Sequence, residues 1–163
     1  MTEGNRRSGV SEPAEPGLEA SLVATIGPVL RHLLAHARRR PGWKELTYQQ
    51  YNVLRMILVD GPTAQADIAR RLLVSAPVVT RLASTLVDAE FLERRSDPKD
   101  RRSVLLALTP KGRRRVNVMR RDLMLAAHEL IEPLPQDRRA SVRAAIDELR
   151  VLLPDRTSHR SIR

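Results

Sequence analysis

Residues 64–108 of the chain are AQADIARRLLVSAPVVTRLASTLVDAEFLERRSDPKDRRSVLLAL. Two short helical patterns follow one another in this segment, and a charged hairpin pattern comes directly after them. Thr63 and Ser75 are the predicted N-caps of the two helices, because a side-chain oxygen at that position accepts a hydrogen bond from the first turn. A tight turn at Leu73 and Val74 joins the helices. The segment therefore predicts a helix-turn-helix.

The second helix of this pair has one apolar and one polar face, since each residue turns about 100° around the helix axis. Four residues share the apolar side and are expected to face the core: Val79, Leu82, Ala83 and Leu86. Four share the opposite side: Pro77, Thr80, Arg81 and Ser84. Short side chains allow close approach to a DNA major groove, where an arginine can bond to guanine O6 and N7. Taken alone, the helix is more consistent with an ordinary solvated face that carries one arginine.

The hairpin pattern adds a second basic feature. Its turn is centred on Asp97 and Pro98, and its strands are rich in aliphatic residues. The tip combines cations with two acids: Arg94, Arg95, Lys99, Arg101, Arg102, Asp97 and Asp100. A basic hairpin after a helix-turn-helix is typical of a wing, which places arginines beside phosphates or in the narrow minor groove. The acids can orient the guanidinium groups through charge-assisted hydrogen bonds. Solvated charged turns are also common, so the hairpin alone would be weak evidence.

Four segments carry a resemblance to a known family: LTYQQYNVLRMI (46–57), QADIARRLLVSAPVVTRL (65–82), LERRSDPKDRR (92–102) and LLALTPKG (105–112). With them the chain resembles the MarR family of winged helix-turn-helix transcriptional regulators. Three residues occupy the family's D-x-R wing motif: Asp100, Arg101 and Arg102. Arg94 matches the arginine that leads into the wing, and Thr109 with Gly112 matches the LTxxG motif that follows. The resemblance covers roughly residues 20–153.

This resemblance implies a homodimer that binds a pseudo-palindromic operator, usually as a repressor released by a small-molecule effector. The DNA-binding residues it suggests, together with the helix faces, are Pro77, Thr80, Arg81, Ser84, Arg94, Lys99, Asp100, Arg101 and Arg102. The sequence departs from the family at two positions, because Leu73 and Glu90 stand where glycine is usual. Glycine is favoured there because a left-handed backbone costs it nothing. The geometry of these two turns is therefore left open.

Composition agrees with a DNA partner. The chain of 163 residues carries a formal net charge of +10, which favours a polyanionic partner. The excess is concentrated in residues 81–121, with twelve Lys or Arg against five Asp or Glu. A nonspecific architectural DNA-binding protein would share this charge and remains the alternative function. No glycine-rich phosphate loop, nucleophile with a base or paired carboxylates are present, so an enzyme is not expected.

The segments flanking residues 46–110 predict a helical dimerisation region. One apolar stripe runs from Leu18 to about Arg40, where Pro28 either kinks the helix or begins a new one. Thr47 is the predicted N-cap of the helix at residues 46–59. Two more helical patterns with apolar stripes follow Thr109, a predicted N-cap, and Pro110. The first of these begins with four basic residues that are candidates for phosphate contacts: Lys111, Arg113, Arg114 and Arg115. These stripes exceed what a module of some 65 residues can bury, so a second copy of the chain is the expected cover. A monomer with a compact helical subdomain is the alternative.

The predicted fold is therefore mainly α with a small β-hairpin wing, an α+β winged helix-turn-helix with N- and C-terminal dimerisation helices. Its expected divisions are a disordered tail (1–17), an N-terminal dimerisation helix (18–45), the DNA-binding domain (46–110), C-terminal dimerisation helices (111–153) and a basic tail (154–163).

Other site classes receive less support. His32 and His36 are one helical turn apart, a spacing that could hold a metal, but no cysteine or nearby carboxylate completes a site, and no metal or cofactor is expected. Trp43 could line a ligand pocket, although a core position is favoured. The absence of cysteine excludes thiol-based redox sensing. No apolar run approaches a membrane span and no signal-peptide core is visible, so we expect a cytoplasmic protein without a membrane partner.

Overall fold

The computed structural model describes residues 17–98 and 103–153, which fold into six α-helices and a three-stranded antiparallel sheet. The helices are α1 (Leu18–Ala37), α2 (Tyr48–Asp60), α3 (Gln65–Leu72), α4 (Ala76–Asp88), α5 (Pro110–Ile131) and α6 (Gln136–Leu152). The strands are β1 (Thr63–Ala64), β2 (Leu92–Ser96) and β3 (Val104–Leu108), in the spatial order β1-β3-β2. The predicted fold class, mainly α with a β-hairpin wing, is confirmed. Two compact units are present, one ending at Arg31 and the other starting at His32.

Side-chain caps set the starts of α2 and α5, as predicted. Thr47 Oγ1 accepts the backbone N–H of Gln50 at 3.2 Å, and Gln50 Oε1 accepts the backbone N–H of Thr47 at 2.8 Å. Thr109 Oγ1 accepts the backbone N–H of Gly112 at 2.9 Å, and Pro110 occupies the first helical position. Both caps satisfy N–H groups that lack a partner within their own helix.

Thr63 is not the cap of α3, which corrects the sequence-based prediction. It lies in β1, where it pairs with Leu106, and its hydroxyl donates to the Gly61 carbonyl at 2.8 Å. Ala64 takes the cap position and has no side-chain oxygen to offer. A two-residue strand has no detectable periodicity, which is why the sequence pattern missed it. Ser75 does occupy the cap position of α4, but its side chain makes no capping hydrogen bond.

The first helix runs from Leu18 to Ala37 with Pro28 inside it. The alternative in which a new helix begins at Pro28 is therefore wrong. An 18-residue window of α1 has a mean hydropathy of 1.3, so this helix is long and apolar enough to cross a membrane. The expectation that no apolar run approaches a span must be corrected accordingly. Core helices of soluble proteins and signal sequences pass the same test, so the observation is weak evidence for a membrane segment.

The core of the second unit forms where the helix-turn-helix, the sheet, α2 and α5 meet. Its largest fully buried side chains include Leu54, Ile68, Leu86, Leu106 and Met119. This packing holds α4 by its apolar face and fixes the base of the hairpin beside it. The outer face of α4 and the strand ends are consequently presented from a rigid support.

Leu73 adopts the left-handed backbone conformation that its position in the turn requires. Its φ and ψ are 54° and 42°, and its side chain is 92% exposed. The turn thus keeps the glycine-like geometry although leucine pays a steric penalty of about 1–2 kcal/mol there. Glu90, at the end of α4, likewise has a positive φ, of 61°. The open question about these two turns is therefore answered: both retain the left-handed geometry.

Replacing Leu73 with glycine is expected to raise the free energy of unfolding by about 0.5–1 kcal/mol. The relief of left-handed strain exceeds the entropy that glycine adds to the unfolded chain, and no buried contact is lost. Chemical denaturation monitored by circular dichroism measures the change. The matched control is Ala66→Gly, an exposed helical position in α3, where glycine should destabilise by about 1 kcal/mol. Equal destabilisation by both variants would contradict the proposed strain.

Candidate nucleic-acid interface

The predicted helix-turn-helix is present in α3 and α4. Three residues, Leu73–Ser75, connect the two helices. The backbone N–H of Val74 donates to the Ala69 carbonyl at 3.1 Å, which closes the turn over the end of α3. Ile68 is fully buried between the helices and the sheet. The turn predicted at Leu73 and Val74 is confirmed.

The two faces of α4 differ as the sequence predicts. All four residues expected to face inward are buried: Val79, Leu82, Ala83 and Leu86. Pro77, Thr80 and Arg81 are exposed on the other side, and Ser84 is half-buried. The helix thus presents a narrow surface of short side chains with one long cation. A duplex groove can approach such a surface closely.

Arg81 and Arg94 are exposed cations without an ion pair within residues 17–98 and 103–153. Several neighbouring arginines are instead paired: Arg70 with Asp67, Arg71 with Asp60, and Arg95 with Glu93. The cations of α4 and β2 that remain available to an external anion are therefore Arg81 and Arg94. Arg95, which the sequence placed among the cations of the wing, is paired with Glu93.

The hairpin predicted as the wing consists of β2 and β3. Arg94 lies opposite Leu106 in the antiparallel register, and the backbone N–H of Asp97 donates to the Ser103 carbonyl at 3.0 Å. This last bond continues the ladder beyond the assigned strands. Four predicted site residues lie outside the described residues: Lys99, Asp100, Arg101 and Arg102. The structure therefore positions the wing by its strands, with Arg94 on the strand that leads into it.

Two basic side chains at the start of α5 are engaged within the protein. The Lys111 ammonium pairs with Glu90 Oε2 at 2.9 Å and lies 5.3 Å from the centroid of the Phe91 ring. The Arg115 guanidinium donates to the carbonyls of Gly42 and Lys44 at 3.3 and 3.4 Å, and lies 5.1 Å from the same ring centroid. Lys111 holds the pKa of the Glu90 carboxyl below its ordinary value, through a hydrogen bond and its charge. The suggested phosphate contacts of this segment therefore reduce to Arg113 and Arg114, which are exposed.

The junction between α4 and α5 explains the LTxxG motif physically. The Thr109 hydroxyl lies 2.7 Å from the Glu90 carbonyl, to which it donates, and it caps α5 at Gly112. A Cβ atom on Gly112 would lie 1.9 Å from the carbonyl oxygen of Phe91. Glycine is thus required because the backbone of α5 touches the backbone of Phe91, just after α4. The motif sets the position of α4 relative to α5.

Trp43 belongs to the core, as favoured from the sequence. Its side chain is 3% exposed, and its Nε1–H donates to the Met119 carbonyl at 3.1 Å. The rings of His32 and His36 are stacked with centroids 3.9 Å apart, and His36 Nδ1 lies 2.9 Å from the His32 carbonyl oxygen. Within the described part of the chain, no group of three or more His, Cys, Asp or Glu residues is arranged to hold a metal.

The sequence analysis missed one residue of this surface, Gln65. It is the first residue of α3, and its side-chain amide lies 3.2 Å from the Thr80 hydroxyl on α4. The two residues are fifteen positions apart, and only the crossing of the two helices brings them together. A helix-turn-helix prediction places glutamine near the surface, but it gives no signal for this particular pairing.

Comparison with known proteins gives consistent results. Residues 46–104 match the sequence model of the MarR family. An uncharacterized HTH-type transcriptional regulator of Mycobacterium leprae is 26% identical over 137 residues, which cover 84% of this chain and 96% of that protein. The HTH-type transcriptional regulator YkoM of Bacillus subtilis is 40% identical over 63 residues, or 39% of this chain and 41% of that protein.

The fold is shared with solved structures at lower identity. The apo form of wild-type MarR from E. coli superposes with a TM-score of 0.70 at 21% identity, covering 82% of this chain and 97% of that one. This identity establishes the fold alone. Together with the family match over the helix-turn-helix and wing, it makes the chain similar to HTH-type transcriptional regulators. The described residues thus form a winged helix-turn-helix fold, and residues 46–104 match the MarR family of transcriptional regulators.

Proposed function

We propose that the protein is a sequence-specific regulator that binds a pseudo-palindromic operator as a homodimer and acts as a ligand-responsive repressor. The observation that supports it most is the outer face of α4, where an unpaired arginine stands among short side chains on a helix anchored by its other face. This combination fits a recognition helix in a major groove. Operator, repression and ligand response extend the resemblance to the MarR family to this chain.

The roles proposed for the residues follow from the helix and hairpin patterns of the sequence, and Lys99, Asp100, Arg101 and Arg102 lie outside the described residues. Four residues on α4 are assigned to base edges: Pro77, Thr80, Arg81 and Ser84. Four cations of the hairpin are assigned to phosphates or the minor groove: Arg94, Lys99, Arg101 and Arg102. Asp100 is assigned to orient the neighbouring guanidinium groups. In this arrangement Arg81 supplies base discrimination, whereas the hairpin supplies affinity that depends strongly on salt.

The exposed apolar faces of the terminal helices support the homodimer. In the first unit, Leu22, Val23 and Ile26 are exposed on α1. In the second unit α6 buries none of its residues, and Val142, Ile146 and Leu149 remain exposed on it. Covering these faces removes apolar surface from water, at about 25 cal/mol per Å². Residues 18–45 and 111–153 are accordingly proposed as the dimerisation region around the DNA-binding domain, residues 46–110.

A dimer fixes the distance between two recognition helices. Separated by about 34 Å, they meet successive major grooves on one side of the duplex. An effector that changes this separation would weaken simultaneous binding of both half-sites. The proposal includes this control by an effector. It also places the protein in the cytoplasm, where the chromosome is accessible.

Competition by unrelated DNA tests the proposed function against the architectural alternative. A labelled operator bound by the protein should resist an excess of random-sequence duplex, because specific binding exceeds nonspecific binding by roughly 10³ or more. Equal competition by operator and random duplex would support an architectural protein. Sedimentation velocity at low protein concentration should show a dimer, and a monomer at all concentrations would contradict the dimerisation region.

A further inference from the structure

A polar contact joins the two helices of the helix-turn-helix at the proposed DNA-facing surface. The side-chain amide of Gln65 lies 3.2 Å from the Thr80 hydroxyl. The same hydroxyl lies 3.0 Å from the backbone carbonyl of Ala76, one helical turn earlier. Thr80 is nevertheless exposed, on the face that it shares with Pro77 and Arg81. Burial in the core therefore does not account for the two hydrogen-bond partners of the Thr80 hydroxyl.

The Thr80 hydroxyl lies within hydrogen-bond distance of two acceptors inside the protein. The side-chain oxygen of Gln65 and the backbone carbonyl of Ala76 both accept, and a hydroxyl carries one proton. The proton is therefore donated within the protein, to one acceptor or shared between the two. The Thr80 hydroxyl is thus directed at α3 and at the preceding turn of α4, with no proton left to donate to a base.

We propose that Thr80 recognises DNA through its methyl group and that Gln65 is the positioning residue that enforces this. The inference rests on the proposed function and specifies one base within it. A threonine methyl packs against the C5 methyl of thymine in the major groove, whereas a free hydroxyl can bond to several base edges. With the hydroxyl held by α3 and the preceding turn of α4, the methyl is the part of Thr80 left to contact a base. Each half-site therefore contains one thymine selected by Thr80.

Substitution of uracil for thymine tests this contact directly, because it removes the C5 methyl and keeps the hydrogen-bonding edges. The DNA is the site that the protein enriches from a random library, with each thymine replaced singly. One thymine per half-site should respond, and uracil there should weaken binding by the parent about three- to fivefold, as expected for burial of about one methyl group. Thr80→Val keeps a methyl in place without the hydroxyl, and it should retain the uracil effect.

The remaining variants separate recognition from general helix stability. Thr80→Ser keeps the hydroxyl but loses the methyl, so uracil and thymine should bind equally well. Gln65→Leu should reduce the uracil effect in the parent and leave it unchanged in the Thr80→Val background, where no hydroxyl needs to be held. Thr85→Val is the matched control, because Thr85 makes the same kind of bond to the Arg81 carbonyl, at 3.0 Å, on another side of α4. It should bind both DNAs like the parent.

Two kinds of failure are distinguishable in this design. A uracil effect that persists in Thr80→Ser would show that the Thr80 methyl is not the group that contacts the thymine methyl, and it would overturn the inference. Absence of any thymine that responds in the parent would overturn it as well. If the library yields no enriched sequence at all, the proposed function fails instead.

Discussion

Replacement of Gly112 by alanine is expected to lower the free energy of unfolding by about 3 kcal/mol, at the upper end of the range for overpacking a core. A Cβ atom at this position would lie 1.9 Å from the carbonyl oxygen of Phe91 and 2.8 Å from its carbonyl carbon. Both atoms belong to the backbone, so they cannot move aside as the end of a long side chain can. In a helix, alanine is otherwise more stable than glycine by about 1 kcal/mol. The expected loss of stability is therefore due to the contact with Phe91. Urea denaturation followed by circular dichroism measures the change.

Gly27→Ala provides the matched control within α1. A Cβ atom there would meet the Arg31 guanidinium at 3.5 Å, an ordinary contact distance. Alanine should therefore stabilise the helix by up to about 1 kcal/mol. Unfolding of the Gly112 variant at the same urea concentration as the parent would show that α5 does not approach the end of α4 as closely as described. If α5 approaches Phe91 as described, the Gly112 variant should unfold at a lower urea concentration than the parent and the Gly27 variant at a higher one.

Arg81→Ala is expected to weaken operator binding by about 1–3 kcal/mol and to relax base preference at one position. The guanidinium is exposed and has no ion pair within the described residues. Its removal therefore leaves no unpaired partner inside the protein, so the effect should appear in DNA binding and not in stability. Fluorescence anisotropy with the operator and its single-base variants, at one fixed salt concentration, measures both quantities.

Two further variants define how the Arg81 result is interpreted. Arg70→Ala removes an equal charge from an exposed arginine that pairs with Asp67 on α3, and it should change binding little. Arg102→Ala, at a wing position outside the described residues, should weaken binding to all sequences and flatten the salt dependence. If the Arg81 and Arg102 variants both bind the operator like the parent at matched salt, the assignment of the DNA-binding residues is wrong.

Local sequence signals predicted much of the fold because each has a short-range physical cause. The caps at Thr47 and Thr109 depend on bonds within one helical turn. The inward face of α4 depends on helical periodicity, which its four buried residues obey. The hairpin was recognised from two aliphatic strands around a charged turn, and its register follows from antiparallel pairing.

Long-range contacts account for what the sequence did not predict. Thr63 joins a strand because β3 lies beside it, which overrides its capacity to cap α3. Lys111 and Arg115 were grouped with DNA-binding cations, but Glu90, Phe91 and the Gly42 carbonyl engage them from other elements. The bond between Gln65 and Thr80 likewise depends on the crossing of two helices. Charge in the sequence indicates where cations are, but only the fold shows which of them are already paired.

Selection of bound duplexes from a random DNA library tests the central claim, that α4 reads DNA sequence from a symmetric dimer. We expect two inverted half-sites with centres about 10–10.5 base pairs apart, or a multiple of that spacing, because two recognition helices then meet the same side of the duplex. Recovery of a single unrepeated motif, or of no motif above the starting library, would contradict the account.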